Sequence, residues 1–258
     1  MRILVTGHKG FIGGHIFSYL TKNSDYEVSG IDIGDGIPQG RFDLIIHMAA
    51  RGLIRKSIEM PYEYFDDDLA LTLRFLDKAR KENSTFVFPT SGSSAKPTNP
   101  YSLSKVHSEQ WIELYRKLYN TKAYVLRFFN IYGPGSQKGS VFLFTRAAIE
   151  GKEAVVYGDG THKRDYFYVG DMEKVIDLIA NEKIEPGDYQ VGTGIGTSVN
   201  DLIHIVEKVT GKKINVKFQP YVLEEAEALF ATKPIIKDVT PLDQGIKKVE
   251  EYVRSLDH

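Results

Sequence analysis

Six residues into the chain, Gly7-His8-Lys9-Gly10-Phe11-Ile12-Gly13 follows an apolar run, Ile3-Leu4-Val5, and leads into a helical stretch from Phe11 to Leu20. No other feature constrains the fold as much. A GxxGxxG turn between a buried strand and a helix opens a βαβ unit. Its glycines permit a tight turn and close helix–sheet packing, and a backbone free of side chains can approach a pyrophosphate at the helix N-terminus. The turn predicts a dinucleotide site with Gly7, Gly10, Phe11, Ile12 and Gly13 beside the cofactor. A glycine loop that serves packing alone is the competing reading.

The rest of the chain agrees with such a unit. Arg2–Thr6 reads as a buried strand, Glu27 to Ile33 as a second and Asp43 to Met48 as a third. A helix is expected from about Tyr62 to Lys81, with Phe65, Leu69, Leu73 and Leu76 on one face. Thr85–Phe88, a long helix from Tyr101 to Tyr119, and Ala123–Phe128 follow. Apolar strands alternating with helices signal a parallel sheet covered on both faces. The predicted fold class is α/β, a Rossmann-type doubly wound parallel sheet with a smaller C-terminal substrate-binding lobe. Residues 1–133 form the dinucleotide-binding domain, to which part of 165–195 returns, and 134–164 with 196–258 form the lobe.

Asp32 ends the second strand, about twenty residues beyond the glycine turn. A carboxylate there accepts both ribose hydroxyls of an adenosine and repels a 2′-phosphate, which favours NAD over NADP. Asp32 also reads as a turn residue, since Gly34, Asp35 and Gly36 follow it.

The main chemical signal is Pro100-Tyr101-Ser102-Leu103-Ser104-Lys105. Tyr101 and Lys105 stand four residues apart at the start of a helix, so their side chains share a face. For a phenol to act as a base near neutrality it must lose roughly three pKa units, about 4 kcal/mol. A lysine ammonium together with an oxidised nicotinamide is suited to supply that. Ser91 lies just past the end of the fourth strand, where ligands of a doubly wound sheet gather, and its hydroxyl can align a reacting oxygen. Ser91 is preferred to Thr90, Ser93 and Ser94, although a plain turn serine would also suit this position.

With these residues in place, the chain resembles the NAD-dependent epimerase/dehydratase family, the extended short-chain dehydrogenases acting on nucleotide sugars. The resemblance rests on the glycine turn, on His47-Met-Ala-Ala50 and on Tyr101-x-x-x-Lys105. It continues through Leu126-Arg127-Phe-Phe-Asn130-Ile-Tyr-Gly-Pro134 and Tyr157-Gly-Asp-Gly-Thr-His-Lys-Arg164-Asp165-Tyr-Phe-Tyr-Val169-Gly-Asp171. It implies a catalytic set of Tyr101, Lys105 and Ser91, with Lys105 also on the cofactor and the backbone of Ala49 and Ala50 beside it. Ser91, Tyr101, Asn130 and Arg164 would hold the substrate, with Arg164 on a diphosphate. The implied activity is 4-epimerisation of a nucleotide sugar with bound NAD. A 4-keto-sugar reductase using NAD(P)H and a non-catalytic NAD(H)-binding sensor or scaffold are the alternatives. The family commonly pairs two helices per subunit into a homodimer, here about 62–81 and 101–119, with Trp111, Leu114 and Leu118 either in that interface or in the core.

The chain also departs from the family pattern. Only ten residues separate Asp32 from Asp43, where the family carries a further helix and strand, so the adenine side is expected to be open or built differently. Gly92-Ser93 stands where the dehydratases have an Asp-Glu pair, which argues against water elimination. Asp68, within Asp66-Asp67-Asp68, replaces an Asn, and a run of carboxylates early in a helix also suits the helix dipole. Gln219 to Glu227 replaces an arginine-bearing loop that grips the nucleotide.

Composition bounds the remaining possibilities. A net charge of −1 gives no reason to expect nucleic acid as a partner, and the absence of Cys removes thiolate catalysis, disulfides and Cys-ligated metal. No metal site is expected. No apolar stretch reaches membrane-spanning length, no membrane partner is expected, and the expected location is cytoplasmic.

Overall fold

A computed structural model describes residues 1–32, 34–92, 97–221 and 226–256. Ser93 and Ser94, weighed above against Ser91, lie outside the described residues, as do Ile33 at the end of the expected second strand and residues 222–225. The chain divides into two units. The first comprises Met1–Phe128 and Glu173–Tyr189, the second Phe129–Met172 and Gln190–His258.

In the first unit, β1 (Arg2–Thr6) is followed by α1 (Phe11–Leu20), β2 (Glu27–Ile31) and β3 (Leu44–His47). Then come α2 (Ile54–Glu59), α3 (Pro61–Tyr64), a π-helical turn (Phe65–Ala70), α4 (Leu71–Glu82), β4 (Thr85–Ser91), α5 (Pro100–Tyr119) and β5 (Ala123–Phe128). The strand order is β10-β5-β4-β3-β1-β2, where β10 (Asp188–Val191) is the strand along which the chain passes into the second unit. β1 pairs in parallel with both β2 and β3, β3 with β4, and β4 with β5. The chain therefore starts in β1, steps to one side and crosses back to the other. This reversal places the carboxyl ends of β1 and β3 at the topological switch point, the site where such sheets bind ligands. Among the described residues the sheet has no strand beyond β2, and no helix or strand is assigned between Asp32 and Asp43.

Leu4, Ile45, Phe86, Phe88 and Val125 from the strands pack with Phe75, Leu76, Ala79 and Ile112 from α4 and α5 to form this unit's core. The buried face of the expected 62–81 helix differs at one end from the one read off the spacing. Phe65 is 51% exposed, whereas Tyr64, Asp68, Thr72, Phe75 and Ala79 are buried. Leu69 and Leu76 are buried as the spacing predicts and Leu73 packs against the core, so the misreading is confined to Phe65, at the start of the wider π-helical turn, where Tyr64 is buried instead.

In the second unit, β6 (Asn130–Tyr132) pairs in parallel with β9 (Tyr166–Tyr168), which keeps both strands here and sets the boundary ahead of the expected 133. α6 (Gly139–Glu150), α8 (Val199–Thr210) and α9 (Leu242–Ser255) share a core of Phe142, Phe144, Leu202, Val206, Ile246 and Val249. β7 (Glu153–Tyr157) pairs with β12 (Asn215–Gln219), and β8 (Lys163–Arg164) lies between β11 (Thr197–Ser198) and β13 (Ala228–Leu229). α7 (Met172–Ala180) carries the chain back to the first unit.

Asp165, 0% exposed, ties this unit together. Its carboxylate accepts the Thr193 N–H (2.8 Å) and hydroxyl (2.6 Å), the Gly194 N–H (2.9 Å) and the Ala231 N–H (3.1 Å). Asp165→Ala would take the acceptor from all of these donors, one of them buried and the others part-buried. A loss of about 3 kcal/mol or more is expected, read as a lower urea midpoint, with Asp165→Asn losing less.

Candidate active site

The glycine turn is packed too tightly for side chains. Gly7 has φ +70°, and a Cβ there would lie 2.8 Å from the Ala49 nitrogen, while one at Gly13 would lie 2.2 Å from the Gly7 oxygen. The Gly10 N–H donates to the Gly7 carbonyl at 3.0 Å, and Gly10 then caps α1 in an extended conformation. No side chain caps this helix and no acidic residue stands in its first turn. An anionic ligand needs such an arrangement at a helix N-terminus. Phe11 and Ile12 are half-buried in that first turn.

Asp32 is held against the glycine turn. Its carboxylate accepts the Lys9 N–H at 2.9 Å, and its own N–H donates to Asp35 at 2.8 Å. It is thus a turn residue and a carboxylate facing the glycine loop at once. Ala49 and Ala50 follow β3 after Met48, and the Ala49 N–H donates to the Thr6 hydroxyl at 3.0 Å. These residues fit a dinucleotide, with the glycine cradle for the pyrophosphate and Asp32 for a ribose.

Tyr101 and Lys105 owe their positions to a strong helix start. The Asn99 side chain accepts the Ser102 N–H at 3.0 Å, the Ser102 hydroxyl accepts from the Asn99 N–H, and Pro100 opens the helix. The first turn of α5 is thereby held where Tyr101 hydrogen-bonds Ser91 at the end of β4. Thr90, one residue earlier, instead donates to Glu109, which also binds Arg127 at 2.7 Å. Of the two adjacent hydroxyls, Ser91 is the one bonded to the phenol.

Lys105 is buried, with its ammonium 4.7 Å from the centroid of the Phe88 ring and 5.8 Å from that of Tyr101. Burial lowers its pKa, and the charges of Asp68 and Glu109 oppose that. The Tyr101 phenol is pushed up to about 12, first by burial and then by Asp68, with the Ser91 hydrogen bond acting the other way. The protein's own groups therefore hold the phenol neutral, and the expected lowering requires a further positive charge.

A directional hydrogen-bond chain runs beneath this cluster. The Thr72 hydroxyl donates to the Asp68 carbonyl at 2.5 Å, so its oxygen must accept from His47 Nε2, 3.1 Å away. His47 Nδ1 then accepts from the Thr6 hydroxyl at 2.8 Å, and Thr6 accepts the Ala49 N–H. The tautomer follows from the chain, with the proton on Nε2. The His47 ring stacks against Phe86 and Phe88, and burial, then the Lys105 charge, pushes its pKa down to about 3. In the unfolded chain the value is 6.5. Below that pH the unfolded chain takes up a proton that the folded one refuses, so stability is full above it and falls as pH drops, by about 1.4 kcal/mol per pH unit. Urea midpoints measured from pH 6.5 to 5 should show this slope, and His47→Gln should remove it.

In the second unit, Asn130 is anchored through its N–H (2.9 Å) and side-chain amide (3.2 Å) to the Asp165 carbonyl. The Arg164 guanidinium donates to the carbonyls of Lys163 and Ala226, each at 2.9 Å. Within the segment from Gln219 to Glu227, Tyr221 stacks on His162, with ring centroids 4.6 Å apart.

Asp68, Glu109, Arg127 and Thr72 were missed as contributors. Glu109 was legible, since Tyr101, Lys105 and Glu109 form a ladder at four-residue spacing. Asp68 and Thr72 lie four and eight residues after Tyr64 on the buried stripe, which the π-helical turn disguises. All three aspartates stand in the first turn of the π-helical segment, where carboxylates suit the dipole, but Asp68 alone is buried there, at 2% exposed. Among the described residues no three His, Asp or Glu side chains are grouped to hold a metal ion, and no helix is long and apolar enough to cross a membrane.

Comparison with known proteins agrees with this geometry. The model of the NAD dependent epimerase/dehydratase family matches residues 3–192. A putative UDP-glucose 4-epimerase of Methanocaldococcus jannaschii is 29% identical, with 98% of each chain covered. That alignment spans 307 positions, more than the 258 residues here, so the relative carries segments this chain lacks. Corynebacterium glutamicum UDP-glucose 4-epimerase is 27% identical over 85% of this chain and 84% of its own. Among solved structures, UDP-glucose 4-epimerase of Thermotoga maritima with UDP-glucose superposes with a TM-score of 0.88 at 26% identity, covering 100% of both chains. The Thermus thermophilus UDP-glucose 4-epimerase in complex with NAD gives 0.84 at 26% identity, covering 98% of this chain and 99% of its own. The chain belongs to the NAD-dependent epimerase/dehydratase family and is an enzyme whose cofactor is NAD.

Proposed function

We propose that the protein is a nucleotide-sugar 4-epimerase, with UDP-sugars as the substrates to test first. One observation carries the reading. Tyr101 is hydrogen-bonded to Ser91 with the buried Lys105 one helical turn behind it, in a chain that aligns nearly end to end with a putative UDP-glucose 4-epimerase. Tyr101 takes the proton of the sugar C4 hydroxyl and later returns it. Ser91 aligns that oxygen, and Lys105 stabilises the phenolate charge and holds the cofactor ribose. Bound NAD supplies the hydride acceptor and donor for C4. The 4-keto sugar turns over before re-reduction, so C4 is inverted. Asn130 contacts the sugar nucleotide, and Arg164 meets its diphosphate with a fork of donors matched to phosphate oxygens. Gly92, directly after Ser91, offers no acid or base for dehydration.

The test is incubation with UDP-, dTDP-, GDP- and CDP-sugars, with products identified by NMR. Inversion at C4 without net cofactor consumption is expected. Net consumption of NADPH would identify a 4-keto-sugar reductase instead. Tyr101→Phe should lower turnover by about 100-fold or more while leaving NAD bound. Turnover equal to wild type on every converted sugar would sink the assignment of Tyr101 and favour a binding role.

We further propose a homodimer built on α5 and its neighbour. Leu103, Trp111, Leu114 and Leu118 on α5, with Tyr62 and Phe65 beside the π-helical turn, are 41–73% exposed and are not core residues of the chain. Sedimentation at micromolar concentration should show a dimer that Leu114→Asp converts to monomer. A monomeric wild type would end the idea.

A further inference from the structure

Asp68 is an unusual group to find beside a proton-handling tyrosine and lysine. Its side chain is buried within the π-helical turn. One carboxyl oxygen accepts the Arg51 N–H at 2.7 Å, while the other, Oδ2, is buried without a hydrogen-bond partner among the described residues. A carboxylate in that state is costly unless a cation compensates it. The cation in the same interior is Lys105, itself 4% exposed and lying over the rings of Phe88 and Tyr101.

We propose that Asp68 is the buried counter-ion of Lys105, a positioning residue that keeps the lysine protonated and Tyr101 neutral until a further positive charge enters the site. The proposal rests on the reading of Tyr101 and Lys105 as the proton-handling pair. A carboxylate here acts on both groups in the same direction. It favours the ammonium over the amine and the phenol over the phenolate, so it makes ionisation of Tyr101 conditional on positive charge from the oxidised cofactor. The surrounding groups leave Asp68 in this role. Glu109 also acts on Lys105, but its carboxylate is engaged by Arg127 and Thr90. Arg51 pairs through its guanidinium with Asp67 at 2.5 Å and reaches Asp68 through its backbone N–H. Tyr64 faces the cluster edge-on to Tyr101, with its hydroxyl donated to the Leu53 carbonyl at 2.6 Å. His47 stays neutral. These facing groups act from α3, α5, β3 and the loop before α2. Burial raises the Asp68 pKa and the Lys105 charge opposes this first among the other causes, in keeping with the pairing.

The experiment compares wild type with Asp68→Asn in the cofactor-free protein. Tyr101 ionisation is followed by tyrosinate ultraviolet difference absorbance, with Tyr101→Phe as the subtraction. Lys105 is followed by NMR of isotope-labelled lysine, assigned by its loss in Lys105→Arg. Removing the carboxylate charge should lower both midpoints, each by about one pH unit or more. A merely structural role predicts a different pair of changes, because opening the site to water would lower the Tyr101 midpoint but raise that of Lys105 toward an ordinary lysine. That outcome, or unmoved midpoints, overturns the proposal. Asp68→Ser, neutral and smaller, must move both midpoints the same way, and keeps the test decisive if Asp68→Asn folds poorly. The two readings fail separately. Full turnover in Tyr101→Phe would remove the catalytic assignment while leaving the two midpoints to be compared. Unmoved midpoints would remove the counter-ion while Tyr101→Phe remained inactive.

Discussion

The first unit is organised around a positive charge placed where water does not reach it. Lys105 lies on α5 against the end of β4, with aromatic faces rather than solvent around its ammonium. Burying an ammonium opposes its charge, so a fold can keep it there only by surrounding it with compensating groups. The carboxyl groups that act on it, Asp68 and Glu109, come from a π-helical turn and from the next turn of α5, and each is held in place by other side chains or backbone. The neutral phenol of Tyr101 follows from the same arrangement, because burial raises its pKa first and the Asp68 charge adds to that.

The hydrogen-bond chain from Ala49 through Thr6, His47 and Thr72 to Asp68 joins this cluster to the cofactor cradle within one unit. Every link has a defined donor, so the imidazole has one tautomer and one orientation. The end of β3 beside the glycine turn and the turn that carries Asp68 are thereby held by one continuous network. A buried polar network of this kind is worth most when every member is satisfied, and His47, with both ring nitrogens bonded, meets that condition.

The shortened crossover after β2 sets the character of the other side of the site. Among the described residues no strand lies beyond β2, and Asp32 stands at the sheet edge, where Lys9 and Asp35 hold it. The ten-residue spacing made this visible before any coordinates. The glycine turn, the parallel alternation and the tyrosine–lysine pair were equally legible, because each is local: a turn that excludes Cβ atoms, a period of apolar residues, a one-turn helical spacing. The inward face around Phe65 was not legible, since an inserted π-helical turn changes the period without marking the sequence. The boundary of the second unit was displaced for a related reason, as β6 and β9 are short strands paired across a long stretch of chain.

From its residues alone this chain set the expectation of a dinucleotide at a glycine-lined switch point with Asp32 favouring NAD, and determined that Tyr101 and Lys105 share a helix face. Spacing and composition carry these because they depend on neighbours within a few residues. Only the tertiary structure decided which of three consecutive aspartates enters the interior, that Ser91 and not Thr90 bonds the phenol, and that the phenol is held neutral rather than acidic. Those outcomes depend on desolvation and on charges brought together from distant segments, and neither quantity exists until the chain has folded around them.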